Sequence, residues 1–230
     1  MSLGNISKEI RRSPSAHATA LVGYIPCPSF QCFEDETNQT VAGWRLFHHC
    51  MGQIFDPLIQ AGESGLDMTC SDGLVCHVYP ILSVFVADHP ERCRVACCKQ
   101  NRCPRCLVYP NELGDNTVAQ ACMPTQTLRI LDRHASKKLT TAFESDGLHP
   151  VYAPFWAKLP HSNIFSSFAP DILHELHNGV FGAHLKDWCL KLAGSKEIDN
   201  RFKCMVDFPS LSYFRKGISR ISQWTGEISN

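Results

Sequence analysis

The sequence has no surplus of charge of either sign: 22 basic and 22 acidic residues cancel. No long-range field would therefore draw the whole molecule to a polyanion, and composition gives nucleic-acid binding no support. Short basic clusters at Lys8/Arg11/Arg12, Arg133/Lys137/Lys138 and Arg215/Lys216/Arg220 have the charge to touch phosphates. Clusters of this length are commonly just solvated faces. Long apolar runs are missing too, and none approaches the ~20 residues needed to cross a bilayer. Met1-Ser2-Leu3-Gly4-Asn5 lacks the apolar core of a signal peptide, which sets secretion aside. No internal repeat occurs.

What the chain does have is size and sulfur. With 230 residues, 44% of them hydrophobic, it can bury one large core or two small ones. Its 13 cysteines are an odd number, so full pairing as disulfides is impossible. A reducing compartment, nuclear or cytoplasmic, with thiols buried or on metal, is the expectation.

The pattern of apolar residues places the elements. Val41, Trp44, Phe47, Met51, Ile54, Phe55 and Leu58 recur in steps of three and four, which predicts an amphipathic helix over 37–61. Pro57 would kink its last turn, and Gly62 and Gly65 would end it. Ser71-Asp72-Gly73 signals a turn. The β-branched and aromatic run that follows predicts a buried strand over 79–88, with Asp88 at its exposed end because Pro90 stops the ladder. Arg94 to Cys98 reads as a further short strand. Leu128, Ile130 and Leu131 suggest a helix. Asp171 to Leu192 has helical spacing, with Pro170 as its start signal and Gly194 as its end. The tail from Phe202 reads as loops around one more helix.

Three constellations carry chemistry. Cys103-Pro104-Arg105-Cys106 has the spacing that lets two thiolates reach one tetrahedral zinc from a tight turn, and Cys97 and Cys98 lie close upstream. A buried pair of unligated thiols would have the same spacing. Asp171 and His174 stand three apart and share a helix face, so His174 either completes a zinc site or donates a hydrogen bond to Asp171. Asp88 at a strand tip would hold magnesium or manganese together with a second carboxylate on an adjacent strand, activating a nucleophile and stabilising the leaving oxygen in phosphodiester chemistry. Glu227 is a candidate third acid. Thirteen cysteines offer no preferred one for Cys-His nucleophilic catalysis.

Taken in order, a longer set of motifs resembles the Plavaka transposases of fungi. These are Gly4-Asn5-Ile6-Ser7-Lys8 with Arg11-Arg12, Gly23-Tyr24-Ile25-Pro26, Ser71-Asp72-Gly73 and Val86-Ala87-Asp88-His89-Pro90-Glu91. They continue through Cys103 to Cys106, Glu112-Leu113-Gly114, Phe155-Trp156-Ala157-Lys158-Leu159-Pro160, Pro170 to Gly179, and Lys216 to Ser219 with Trp224-Thr225-Gly226. That family is related to the CACTA group of cut-and-paste DNA transposases. The resemblance implies a ribonuclease H-like α/β core that uses three acids with magnesium or manganese, with transposon-end DNA as partner and scope for assembly with further copies. Asp88 matches the second acid. Cys103, Cys106, Asp171 and His174 match a signature between the second and third acids, which implies a shared structural role for Cys103, Cys106 and His174, with or without zinc.

The departures set a further expectation. The family's first acid would lie upstream of Gly4, and Thr225-Gly226-Glu227 is one residue shorter than the Thr-Gly-x-Glu pattern. The expectation is therefore a transposase truncated at both ends, with a partial core over 1–98, a cysteine knuckle and insertion over 99–150, and a helical segment with the Asp-x-x-His motif over 151–230. Without its full set of carboxylates it would not cleave DNA alone. The competing expectations are a non-catalytic, zinc-stabilised module that binds DNA or protein, and a relic without function.

Overall fold

The computed structural model describes residues 1–138, 141–206, 214–215 and 217–219. Glu227, Lys216, Arg220 and the Trp224–Gly226 motif lie outside the described residues. Two compact units divide the chain, Met1–Ala169 and Pro170–Asn230. Among the described residues the architecture mixes helices with two small two-stranded sheets.

In the first unit, a single turn α1 (Lys8–Arg11) precedes the long helix α2 (Glu36–Ser64). The Asp35 carboxylate caps α2 by accepting from the Thr37 and Asn38 N–H groups. Its apolar stripe buries Trp44, Phe47, Met51 and Phe55, as the three-and-four spacing predicts. The helix runs through Gly62 and ends at Gly65, whose φ of 72° suits a residue without a Cβ. Gly62 lies inside the helix and faces Pro160, so that a Cβ there would run into the Pro160 ring.

Strands β1 (Leu66–Thr69) and β2 (Val75–Val78) form an antiparallel hairpin in which Asp67 faces His77 and Met68 faces Cys76. Its turn is the predicted one, with Asp72 accepting from the Leu74 N–H and Gly73 at φ 82°. The strand expected over 79–88 is confined to β3 (Phe85–Ala87), which pairs with β4 (Phe168–Pro170). Pro80, with no N–H, cannot join a ladder.

Arg94–Cys98 is not a strand. It closes α3 (His89–Ala96), which begins at Asp88 with Pro90 in its first turn. Cys97 adopts a left-handed φ of 61°, and the N–H groups of Cys97 and Cys98 fold back onto the Arg94 and Cys93 carbonyls in a Schellman-type closure. The capping signal Asp88-His89-Pro90-Glu91 overrides the β-propensity of the residues after it.

Helices α4 (Pro124–Ala135), α5 (Thr141–Ser145) and α6 (Ile164–Ser167) complete the unit, with a 3₁₀ turn at Phe155–Lys158. One hydrophobic core joins α2, α3, α4 and the 3₁₀ turn, through Phe55, Val95, Leu131, Val151 and Trp156. That core includes residues on both sides of positions 98 and 150, and the chain divides into its two compact units after Ala169. Within 99–150, α4 contributes its own apolar face through Ile130 and Leu131.

The described residues of the second unit are mostly helical. A wide π-type helix over Leu173–Leu185 runs into α7 (Lys186–Ala193), which stops at Gly194 with φ 80°. The end is the predicted one. α8 (Ser195–Lys203) follows, and its Asp199 carboxylate accepts from the N–H groups of Ile218 and Ser219. The Ser219 hydroxyl first, and those N–H groups with it, hold the carboxyl below its ordinary range. Among the described residues no helix is long and apolar enough to cross a membrane.

Candidate functional site

Asp88 sits where β3 hands over to α3. Its carboxylate accepts from the Glu91 N–H at 2.9 Å, while its carbonyl accepts the Arg92 side chain. The cap neutralises an orphan donor of the helix start, and the helix dipole favours the negative charge. Glu91 lies near enough to feel it. Burial first, and the Asp88 charge second, raise the Glu91 carboxyl above its ordinary range. The two acids therefore form a local pair, as the spacing Asp-x-x-Glu before a helix signals.

In the Cys103–Cys106 turn the Arg105 N–H donates to the Cys103 sulfur at 3.4 Å. Burial raises the Cys106 thiol, and a hydrogen bond shared with Cys103 adds to the rise. Across a short ladder, Leu107 donates to the Gln120 carbonyl and Cys122 to the Arg105 carbonyl, with Cys106 facing Ala121. That ladder brings Cys122 beside the turn. Its thiol is pushed up to about 12 by burial and by the neighbouring Cys103 and Cys106.

A second isolated bridge pairs Cys98 with Leu148, and the Lys99 N–H donates to the Gly147 carbonyl. Between the two bridges lies a cavity of about 480 Å³ that Cys98, Cys103, Cys106 and Cys122 all line. Nothing in the sequence pattern pointed to Cys122, because its link to the turn is made by strand pairing across a loop. Among the described residues, no group of three or more His, Cys, Asp or Glu side chains stands ready to hold a metal ion.

Asp171 and His174 belong to the second unit, whereas Asp88 and the cysteine turn belong to the first. Within its unit, Asp171 Oδ2 pairs with His174 Nδ1 at 2.5 Å, and Asp171 Oδ1 accepts from the Leu173 N–H. The His174 bond first, and the Leu173 bond next, hold the Asp171 carboxyl below its usual range. Of the two roles the spacing allows for His174, the hydrogen bond to Asp171 is formed.

The family model described as Plavaka transposase matches residues 1–189, a span that takes in Asp88, the cysteine turn and the Asp171/His174 pair. The chain belongs to the Plavaka transposase family. No curated protein and no solved structure matches it. For a Plavaka transposase family member, the match covers all of the first unit and runs on into α7, stopping short of α8.

Proposed function

We propose that this chain is part of a cut-and-paste DNA transposase of the fungal, CACTA-related kind, contributing a portion of a ribonuclease H-like core and not cleaving DNA by itself. The observation that carries the reading is the family match over residues 1–189. The parent reaction would be hydrolysis at the ends of the element, followed by attack of the freed 3′-hydroxyl on target DNA. Bound magnesium or manganese would supply the positive charge that activates the nucleophile and stabilises the leaving oxygen.

Asp88 is the acid of this chain that corresponds to such a site. Its donor set falls short of a two-metal centre: one oxygen is engaged by the Glu91 N–H, and among the described residues no third donor joins Asp88 and Glu91. Cleavage would need carboxylates beyond these two. DNA contact would fall to exposed basic residues, Lys8, Arg11 and Arg12 near α1, and Arg133, Lys137 and Lys138 at the end of α4. With zero net charge behind them, binding would be weak and lost with added salt. The second reading, a non-catalytic module for DNA or protein, is favoured by the thiol-lined cavity.

The test uses the full chain with supercoiled plasmid carrying the terminal sequences of the element, in magnesium or manganese. The plasmid is expected to stay supercoiled, while a mobility shift shows preference for terminal over unrelated DNA. Nicking would overturn the claim of inactivity. Equal, negligible binding to both DNAs would overturn the DNA-binding part and leave a protein-binding module.

A further inference from the structure

We propose that His77 is a pH-sensitive clip: as an imidazolium it ties the β1–β2 hairpin to the C-terminal end of α2, and on losing its proton it releases that end of the helix. Nδ1 of His77 lies 2.7 Å from Asp67 Oδ1 across the hairpin, and Nε2 lies 3.0 Å from the Ser64 carbonyl in the last turn of α2. An ionised carboxylate and a carbonyl only accept. Both contacts are hydrogen bonds only when both ring nitrogens carry protons, which is the cationic ring. The neutral ring donates to one of them, and its bare nitrogen then faces the lone pairs of the other.

Three further features fit a cation to this place. Ser64 is the last residue of α2, so its carbonyl is one of the helix's orphan acceptors, at the end where the helix dipole favours positive charge. Gly65 leaves room for the ring, since a Cβ there would overlap the imidazole. Asp67 stands directly opposite His77 in the hairpin register, which holds the carboxylate to the ring. The groups that face the ring are thus the Asp67 carboxylate from β1, the Ser64 carbonyl from α2, and the Tyr79 phenol, whose ring meets it edge-on at 5.2 Å. Glu63 precedes Ser64 in the last turn and is exposed. The Asp67 bond first, and the Ser64 bond next, raise the His77 pKa above its ordinary 6.5.

What the clip controls follows from how little the hairpin buries. All four residues of β1 and three of the four in β2 are exposed. A two-stranded hairpin is marginal in water by itself, so its hold on α2 depends on polar contacts such as these. The clip is complete below pH 6.5, where the unfolded side chain is also charged, and is lost as pH rises through the higher pKa of the folded state. Because the ring is exposed, water and salt temper the effect. The outcome is a looser hairpin above neutral pH, with the core of the first unit intact.

The test uses the full chain under reducing conditions. The His77 imidazole is titrated by NMR, its signals assigned by their loss in His77→Gln, and it is expected to have a midpoint above 6.5 that falls in Asp67→Asn. Hydrogen exchange is then measured at about pH 6 and about pH 8.5, with the intrinsic pH dependence of exchange divided out. Protection of the β1 and β2 amides and of the Gly65 N–H should drop about threefold across that range in wild type, the scale of one exposed charged hydrogen bond, and stay level in His77→Gln. A wild-type midpoint at or below 6.5, an unchanged midpoint in Asp67→Asn, level protection in wild type, or an equal drop in His77→Gln would each overturn the proposal.

Discussion

The Phe155 backbone N–H donates to Nδ1 of His48 at 3.3 Å, across 107 positions of chain. That bond leaves Nε2 to carry the ring proton, which it gives to the Arg94 carbonyl at 2.9 Å. A neutral imidazole thus joins α2, the end of α3 and the Phe155–Lys158 turn, with the buried Cys97 thiol beside it. Burial pushes the His48 pKa down to about 4 from 6.5, against the raising effect of the Arg94 bond.

Stability should therefore fall in mild acid. Between pH 6.5 and about 4 the unfolded chain takes up a proton at His48 that the folded protein refuses, so folding weakens as pH drops. The full effect is about 3 kcal/mol, present as stability above pH 6.5 and lost by about pH 4. Urea midpoints measured across this range should decline steeply in wild type. His48→Gln should start lower at neutral pH and slope less, and equal slopes would remove His48 as the cause.

Two glycines of α2 should respond in opposite senses to alanine. Gly52 has open space where a Cβ would go, so Gly52→Ala should stabilise by about 0.5–1 kcal/mol through helix propensity. At Gly62 the new methyl would meet the Pro160 ring and the Pro80 carbonyl. Neither neighbour is a flexible side-chain end, and Gly62→Ala should destabilise by about 1–2 kcal/mol despite the propensity gain. Thermal unfolding of the two variants checks the contrast.

Asp88 lets capping be separated from metal chemistry. Asp88→Ala removes the acceptor of the Glu91 N–H and should cost about 1 kcal/mol, while Asp88→Asn keeps an acceptor and should be close to neutral. If an assembled transposase uses this carboxylate for its metals, Asp88→Asn should abolish cleavage at unchanged stability. Full cleavage by Asp88→Asn would confine Asp88 to its role as a helix cap.

The long helix and the family motifs were legible in the sequence, because periodicity and motif order are carried by the residues themselves. Leu128, Ile130 and Leu131 marked α4 for the same reason. Arg94–Cys98 misled because β-propensity over five residues is a weaker signal than the cap at Asp88, which begins a helix whatever follows. The grouping of Cys122 with Cys103 and Cys106, and the burial of His48, depend on contacts between distant segments. No local pattern encodes them.

The hairpin offers a redox test. The Cys70 and Cys76 sulfurs lie 3.3 Å apart at its exposed end, with Cys76 on β2 and Cys70 just past β1. Glutathione disulfide should oxidise them: one thiolate displaces a glutathione to give a mixed disulfide, and the other thiol displaces the second glutathione as the internal bond forms. Peptide mapping should show a Cys70–Cys76 link with the loss of two hydrogens from the chain. Cys76→Ser should abolish the link, and its persistence elsewhere in the hairpin would refute the pairing.

The Trp156 indole donates to the Val95 carbonyl at 2.7 Å inside the core that runs from α2 to β4. Any shortened version of the protein should consequently stop no earlier than Ala169. A piece ending at Pro150 would forfeit the indole lid over α3 and turn Phe55 and Val95 toward water, so it should be recovered as aggregate, whereas residues 1–169 should be recovered in solution.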